Sequence, residues 1–287
     1  MDWFILSLLT ALAVAVRDVS VKKFHDLEPL EVAAVETFWS LPLFAAGFAF
    51  VPTPQLDHAF WSAFLWSLPL NIAAYILYLY AIKLSPISLT VPFLSLTPVF
   101  MILTGYLTIG ETITLWGGLG VGLIVAGSYI LNSDQVNEGV LKPFIAFAHE
   151  KGSWMMLIVA FLFAFAAVIG KKAMIHSSPL FFSYFFFLTF NLIIVTALIL
   201  SRKMPLRSLW HNRGKGIWLG SLLATHISCH ALAITIATAV YMIAVKRSSI
   251  VFSVILSWLI LKEEKMRFRL LGSICMFGGI LLITLMG

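Results

Sequence analysis

The sequence predicts an all-α integral membrane protein of ten transmembrane helices, arranged as two inverted five-helix repeats. Three observations carry this expectation. Of 287 residues, 61% are apolar and only 11% charged, whereas a soluble domain carries roughly a quarter charged residues. Apolar stretches long enough to cross a hydrocarbon core, about 20 residues each, recur from end to end. The second half also repeats sparse features of the first. A chain this poor in charge cannot clothe itself for water, which excludes a soluble enzyme, a nucleic-acid reader and a disordered polymer.

The spans fall at about 3–24, 30–51, 59–82, 86–109 and 113–131, then at about 153–175, 179–201, 216–237, 239–261 and 268–286. The first opens with Met1, Asp2 and Trp3, lacking the basic start and small-residue cleavage site of a secretory signal, so it is expected to be retained. In the fourth, Pro86, Pro92 and Pro98 each remove a backbone donor and should bend the helix. Gly118 and Gly122 in the fifth, and Gly278 and Gly279 in the tenth, permit close helix approach. The eighth and ninth divide near Thr238, with little turn chemistry to mark the break. The one long connector, 132–152, separates a first repeat, 1–131, from a second, 153–287.

Sliding one half over the other pairs Lys22 with Lys172, Pro29 with Pro179, Glu111 with Glu263, Gly120 with Gly272 and Gly127 with Gly279. An odd number of helices per half makes the second copy enter from the opposite side, a plan common to secondary transporters. Connectors on one side hold 14 of the 19 Lys and Arg residues, and those on the other hold 2. Basic loops are retained in the cytoplasm, so both termini are expected outside. The expected location is a cell membrane, the inner one in a bacterium.

Polar residues inside the spans are the candidates for function. Lys246 and Arg247 lie well inside an apolar run that continues to Leu261. Each costs about 2.5–3.5 kcal/mol at a helix centre, which a water-filled cavity receiving an anion would offset. The competing reading starts the helix later, near Ser248, and puts both in a loop. His226 and His230 share a face of the eighth helix, as do Asn71, Tyr75 and Tyr78 in the third. These are cavity-wall candidates, equally consistent with interhelical hydrogen bonding. No third ligand accompanies the histidines, so no metal is expected.

Carboxylates within spans could take up and release a proton. Glu36, one turn from the candidate wall residue Trp39, is the first choice for coupling. Glu31 lies nearer the helix mouth, and Asp18 is expected to pair with Arg17. Glu111 and Glu263 precede the fifth and tenth spans, where they should cap the free amides. Cys229 and Cys275 give neither a disulfide framework nor metal spacing. No phosphate-binding GxxxxGK[ST] loop is present, so pumping by the chain's own ATP hydrolysis is not expected, nor is any cofactor.

The stretch Ser95 to Glu111, SLTPVFMILTGYLTIGE, and its counterpart Ser248 to Glu263, SSIVFSVILSWLILKE, resemble the two signature helices of EamA-like members of the drug/metabolite transporter superfamily. The resemblance covers nearly the whole chain. It implies a basket of helices around a central cavity that opens alternately to each side, and members that export amino acids, drugs or metabolites or exchange phosphorylated sugars. Such members often have both termini inside, against the charge count followed here. The pair Lys246-Arg247 further resembles the basic pair of triose-phosphate and nucleotide-sugar translocators. Those proteins also carry a lysine in the matching helix of the first half, where this chain has Leu94.

The expected function is thus secondary transport of a small, anionic or carboxylate-bearing organic solute, with proton or counter-substrate coupling and membrane lipid as the other partner. Export of amino acids or hydrophobic drugs is the nearest alternative. A flippase for a phosphate-linked lipid is the alternative of another class, and a membrane-embedded enzyme finds little support without a catalytic dyad.

Overall fold

In the computed structural model, residues 2–85, 90–131, 151–201, 206–261 and 267–286 are described, and among them every regular element is helical. Helices α1 (Asp2–Lys23), α2 (Pro29–Phe50) and α3 (His58–Leu84) are followed by a 3₁₀ turn, Val91–Leu96, running into α4 (Thr97–Ile109) and then α5 (Leu115–Leu131). The second half comprises α6 (Lys151–Ile175), α7 (Pro179–Leu200), a short α8 (Leu206–His211), α9 (Arg213–Ile236), α10 (Ala239–Lys246), α11 (Ser249–Leu261) and α12 (Arg267–Met286). Among the described residues, seven helical segments, counting Ala239–Ile260 as one, are long and apolar enough to cross a membrane. Three shorter apolar helices cover Phe93–Ile109, Leu115–Ile130 and Ile274–Ile283.

Local chemistry fixes the ends. Pro29 and Pro179 open α2 and α7, where the missing amide costs nothing. The Asp57 side chain accepts from the Phe60 amide at 2.8 Å, and that of Ser178 from the Phe181 amide at 3.2 Å. Gly110 ends α4 with φ 68°, a backbone state that favours glycine.

Two expected spans are not continuous. The described part of 86–109 is 3₁₀ through Leu96 and α-helical from Thr97, because Pro98 fits the first turn of a helix but not its interior. The stretch 239–261 breaks at Arg247–Ser248 with no proline present. Lys246 there ends α10, whose free carbonyls favour a cation. Pro86, the connector 132–150 and Glu263 lie outside the described residues.

The most extensive packing joins the N-terminal half to the C-terminal half: α5 to α12, α3 to α6, α1 to α9, and α2 to both α9 and α7. The α5–α12 seam is reciprocal. A Cβ on Gly120 would come within 2.8 Å of the Gly279 carbonyl, and one on Gly127 within 2.6 Å of the Gly272 carbonyl. Of the four glycines expected to permit close helix approach, Gly279 does so here, whereas a Cβ on Gly122 or Gly278 would meet nothing within 4 Å, and one on Gly118 only Ile113.

Candidate functional site

Helices α1, α3, α6, α7, α9 and α10, with the start of α4, enclose a central cavity of about 160 Å³. One part of its wall is cationic and polar: Arg17, Asn71, Thr97, His226, His230, Lys246 and Arg247. Another is aromatic: Phe163 from α6 and Phe182, Phe186, Phe187 and Phe190 from α7. Tyr75 and Tyr78 complete it.

The two broken helices meet here. Arg247, only 4% exposed, donates from Nη2 to Thr97 Oγ1 at 2.7 Å, so the α10–α11 break touches the first residue of α4. Its Nε is buried without a partner among the described residues. Lys246 Nζ lies 2.9 Å from His226 Nε2. An ammonium can only donate, so that nitrogen accepts and the ring proton rests on Nδ1. Nδ1 of His226 and Nδ1 of His230 are likewise buried without partners among the described residues. No described carboxylate forms an ion pair with Lys246 or Arg247. The later helix start at Ser248 therefore coexists with burial: the pair sits at a break, inside the protein.

Two carboxylates, Asp18 and Glu36, stand behind the wall and hold Arg17 and the two tyrosines. Arg17 grips Glu36 at two points, Nε to Oε1 at 2.5 Å and Nη2 to Oε2 at 2.7 Å. Tyr75 donates its hydroxyl to Glu36 Oε2 at 2.5 Å, and Tyr78 donates to Asp18 Oδ2 at 2.6 Å. Arg17 reaches Asp18 only at 3.4 Å, while its guanidinium stands 5.6 Å from the centre of each tyrosine ring. Both tyrosines thus spend their hydroxyls on carboxylates and offer the cavity their rings.

The structure brings Asn71, Tyr75, Tyr78, His226, His230, Lys246 and Arg247 to one cavity and leaves Trp39, Glu31, Glu36 and Asp18 off its wall. Trp39 donates its indole N–H to the Leu209 carbonyl at 3.1 Å and packs edge-on against Trp210. The Glu31 carboxylate accepts from the Glu28 amide at 3.0 Å at the exposed start of α2. Arg17 makes its two-point contact with Glu36, not with its neighbour Asp18, because a planar fork cannot reach both oxygens of the adjacent residue.

Glu111 is a cap, but of a different helix from the one expected. Its carboxylate accepts from the amide of Ala239, the first residue of α10, at 3.2 Å, and from Lys171 Nζ at 2.5 Å. Lys171 also donates to the Ala237 carbonyl at 2.7 Å, tying the end of α9 to the start of α10. Sequence reasoning missed Arg17 as wall and the phenylalanines of α7. The latter had a signal, since Phe182, Phe186 and Phe190 recur every fourth residue on one helix face.

The EamA-like transporter family matches residues 1–133 and again 150–285, nearly the whole chain in two copies. A solved protein crystal structure, 16% identical, aligns with a TM-score of 0.70 over 99% of this chain and 96% of its own, a likeness of fold. No curated protein matches significantly.

Proposed function

Because this chain belongs to the EamA-like transporter family, an integral membrane family that carries small solutes, we propose that it is a secondary transporter for a small organic solute bearing a carboxylate or phosphate. The observation that carries this reading is the pair of half-buried Lys246 and buried Arg247 on the cavity wall, without an ion-pair partner among the described residues. Two such charges are costly in a membrane interior. An anion drawn in from water offsets that cost, with Arg247 Nε–H and His226 Nδ1–H as spare donors.

The carrier works by alternating access between two inverted five-helix repeats, 1–131 and 153–287, joined by 132–152. The double family match and the reciprocal Gly120–Gly279 and Gly127–Gly272 contacts support this plan, since a two-fold relation makes each partner of a contact recur on the other side. The lysine- and arginine-rich connectors face the cytoplasm, which leaves both termini outside.

Of the candidate coupling carboxylates, Asp18 is the one that exchanges a proton. Glu36 is held by three short hydrogen bonds from Arg17 and Tyr75, whereas Asp18 has one from Tyr78 and a long contact to Arg17. Asp18→Asn should leave uptake in proteoliposomes insensitive to an imposed pH gradient. A full gradient response in that variant sinks the assignment.

Lys246→Gln and Arg247→Gln should each abolish anion uptake in proteoliposomes while leaving the yield of folded protein intact. Unchanged transport in both variants removes the anion site. A second reading, export of amino acids or hydrophobic drugs, is favoured by the aromatic wall, and parallel uptake of anionic and neutral analogues separates the two.

A further inference from the structure

We propose that the cargo is an aromatic monocarboxylate without an ammonium group, its carboxylate seated by Lys246, Arg247 and His226 and its ring held by the phenylalanines of α6 and α7. This rests on the anion reading above and narrows it by three properties of the cavity.

The first is charge. Among the described lining residues are three cations, Arg17, Lys246 and Arg247, and no carboxylate. Glu36 neutralises Arg17 from behind the wall, and Asp18 and Glu36 face the tyrosine hydroxyls there. An α-amino acid would bring its carboxylate to Lys246 and Arg247 but carry an ammonium into a chamber that holds two unpaired cations and no counter-charge on its wall. Like charges in a poorly screened site repel strongly. A simple carboxylate pays no such penalty.

The second is the surface left for the rest of the molecule. Five phenylalanines, with the rings of Tyr75 and Tyr78, form it. Such rings favour offset or edge-on contact with another aromatic ring over contact with a flexible chain. The unpartnered polar atoms of the described wall, Arg247 Nε, His226 Nδ1 and His230 Nδ1, gather at the cationic end, so the several hydroxyls of a sugar find few partners on the aromatic side. Ser183 Oγ, a buried hydroxyl without a partner, is the exception on this side.

The third is size. The cavity of about 160 Å³ is close to an apolar cavity of about 150 Å³ that takes up benzene. A single ring is of that size.

The test uses the purified full-length chain in detergent and in proteoliposomes, with phenylacetate, hexanoate, L-phenylalanine, phenethylamine and glucose 6-phosphate as probes. Phenylacetate should raise the melting temperature in a concentration-dependent manner and should be taken up. L-Phenylalanine and hexanoate should each bind at least about tenfold more weakly, and phenethylamine not at all. Phe190→Leu, which keeps apolar bulk, should weaken phenylacetate without weakening hexanoate. Equal or tighter binding of L-phenylalanine overturns the exclusion of ammonium, and equal binding of hexanoate overturns the ring. Binding of glucose 6-phosphate without phenylacetate overturns the aromatic class yet keeps the anion site. Binding of phenethylamine alone, or of no anion by folded protein, overturns both.

Discussion

Two seams between the halves are built in opposite ways. Where α2 meets α9, glycine brings backbones together: a Cβ on Gly220 would stand 2.8 Å from the Ser40 amide nitrogen, and one on Gly216 2.9 Å from the Val35 carbonyl. From the neighbouring α7, Asn191 Nδ2 donates a buried hydrogen bond to Ser40 Oγ of α2 at 2.9 Å. Where α3 meets α7, rings stand between the helices. Phe64 stacks on Phe185 at 5.0 Å and meets Phe186 edge-on at 5.7 Å, while Phe60 packs on Phe181 and Phe182. Backbone-to-backbone contact has no soft coordinate and separates only as a unit. A ring stack yields by rotation about side-chain bonds. Phe182 and Phe186 belong both to this stack and to the cavity wall, so the ring seam is the one expected to part when solute enters.

The comparison is broken most directly at the glycine seam. Gly220→Leu inserts a side chain where no Cβ fits, and over-packing of this kind costs about 3 kcal/mol. Thermal melts should show a large loss of stability, with uptake lost as well. A variant that melts and transports like wild type means the seam is not rigid.

Phe64→Ala should have the middle effect. It removes three ring contacts to α7, with Phe182, Phe185 and Phe186. Since such pairs contribute about 0.5–1.5 kcal/mol each and are not additive, the expected loss is about 2 kcal/mol. Transport should survive, because the helix backbones stay in place. If Phe64→Ala stops uptake while Gly220→Leu does not, the roles of the two seams are reversed.

The smallest effect belongs to the loops at the seam ends. Beside the ring seam, Asp57 caps α3 and lies 2.8 Å from His176 Nδ1. The Phe60 amide, and then His176, hold the Asp57 carboxyl below the usual aspartate range. Beside the glycine seam, Lys215 holds the Asp26 carboxyl below that range through a direct hydrogen bond. A carboxyl depressed by folding contributes stability that is fully present above its unfolded pKa, about 3.9, and is lost as pH falls through the folded value. Melts of Asp57→Asn and wild type should therefore differ slightly at pH 6 and begin to converge only as pH falls below about 4. A difference that persists or grows in acid contradicts the assignment.

How far the sequence reached depended on how local the cause was. Seven of the apolar spans and the shared faces of His226 with His230 and of Tyr75 with Tyr78 follow from hydropathy and periodicity and are found among the described residues, as is the break near Thr238. The placement of Lys246 and Arg247 on the cavity wall was legible as an anomaly, two charges in an apolar run. Partnerships were not legible. Glu36 with Arg17 and Glu111 with Lys171 and Ala239 join residues far apart in the chain, and spacing within one helix says nothing about the helix opposite.

Composition and span length by themselves determined that this is a helical membrane protein, because hydrocarbon allows an isolated backbone few other ways to satisfy its amides. Tertiary structure alone decided which polar groups face the cavity and which neutralise one another behind it. By residue type Trp39 and Glu31 were as eligible for the wall as Tyr75 or His226, yet helix rotation and packing turn one against Trp210 and leave the other at an exposed helix start. Burial and orientation depend on contacts between distant segments, and those exist only once the chain has folded.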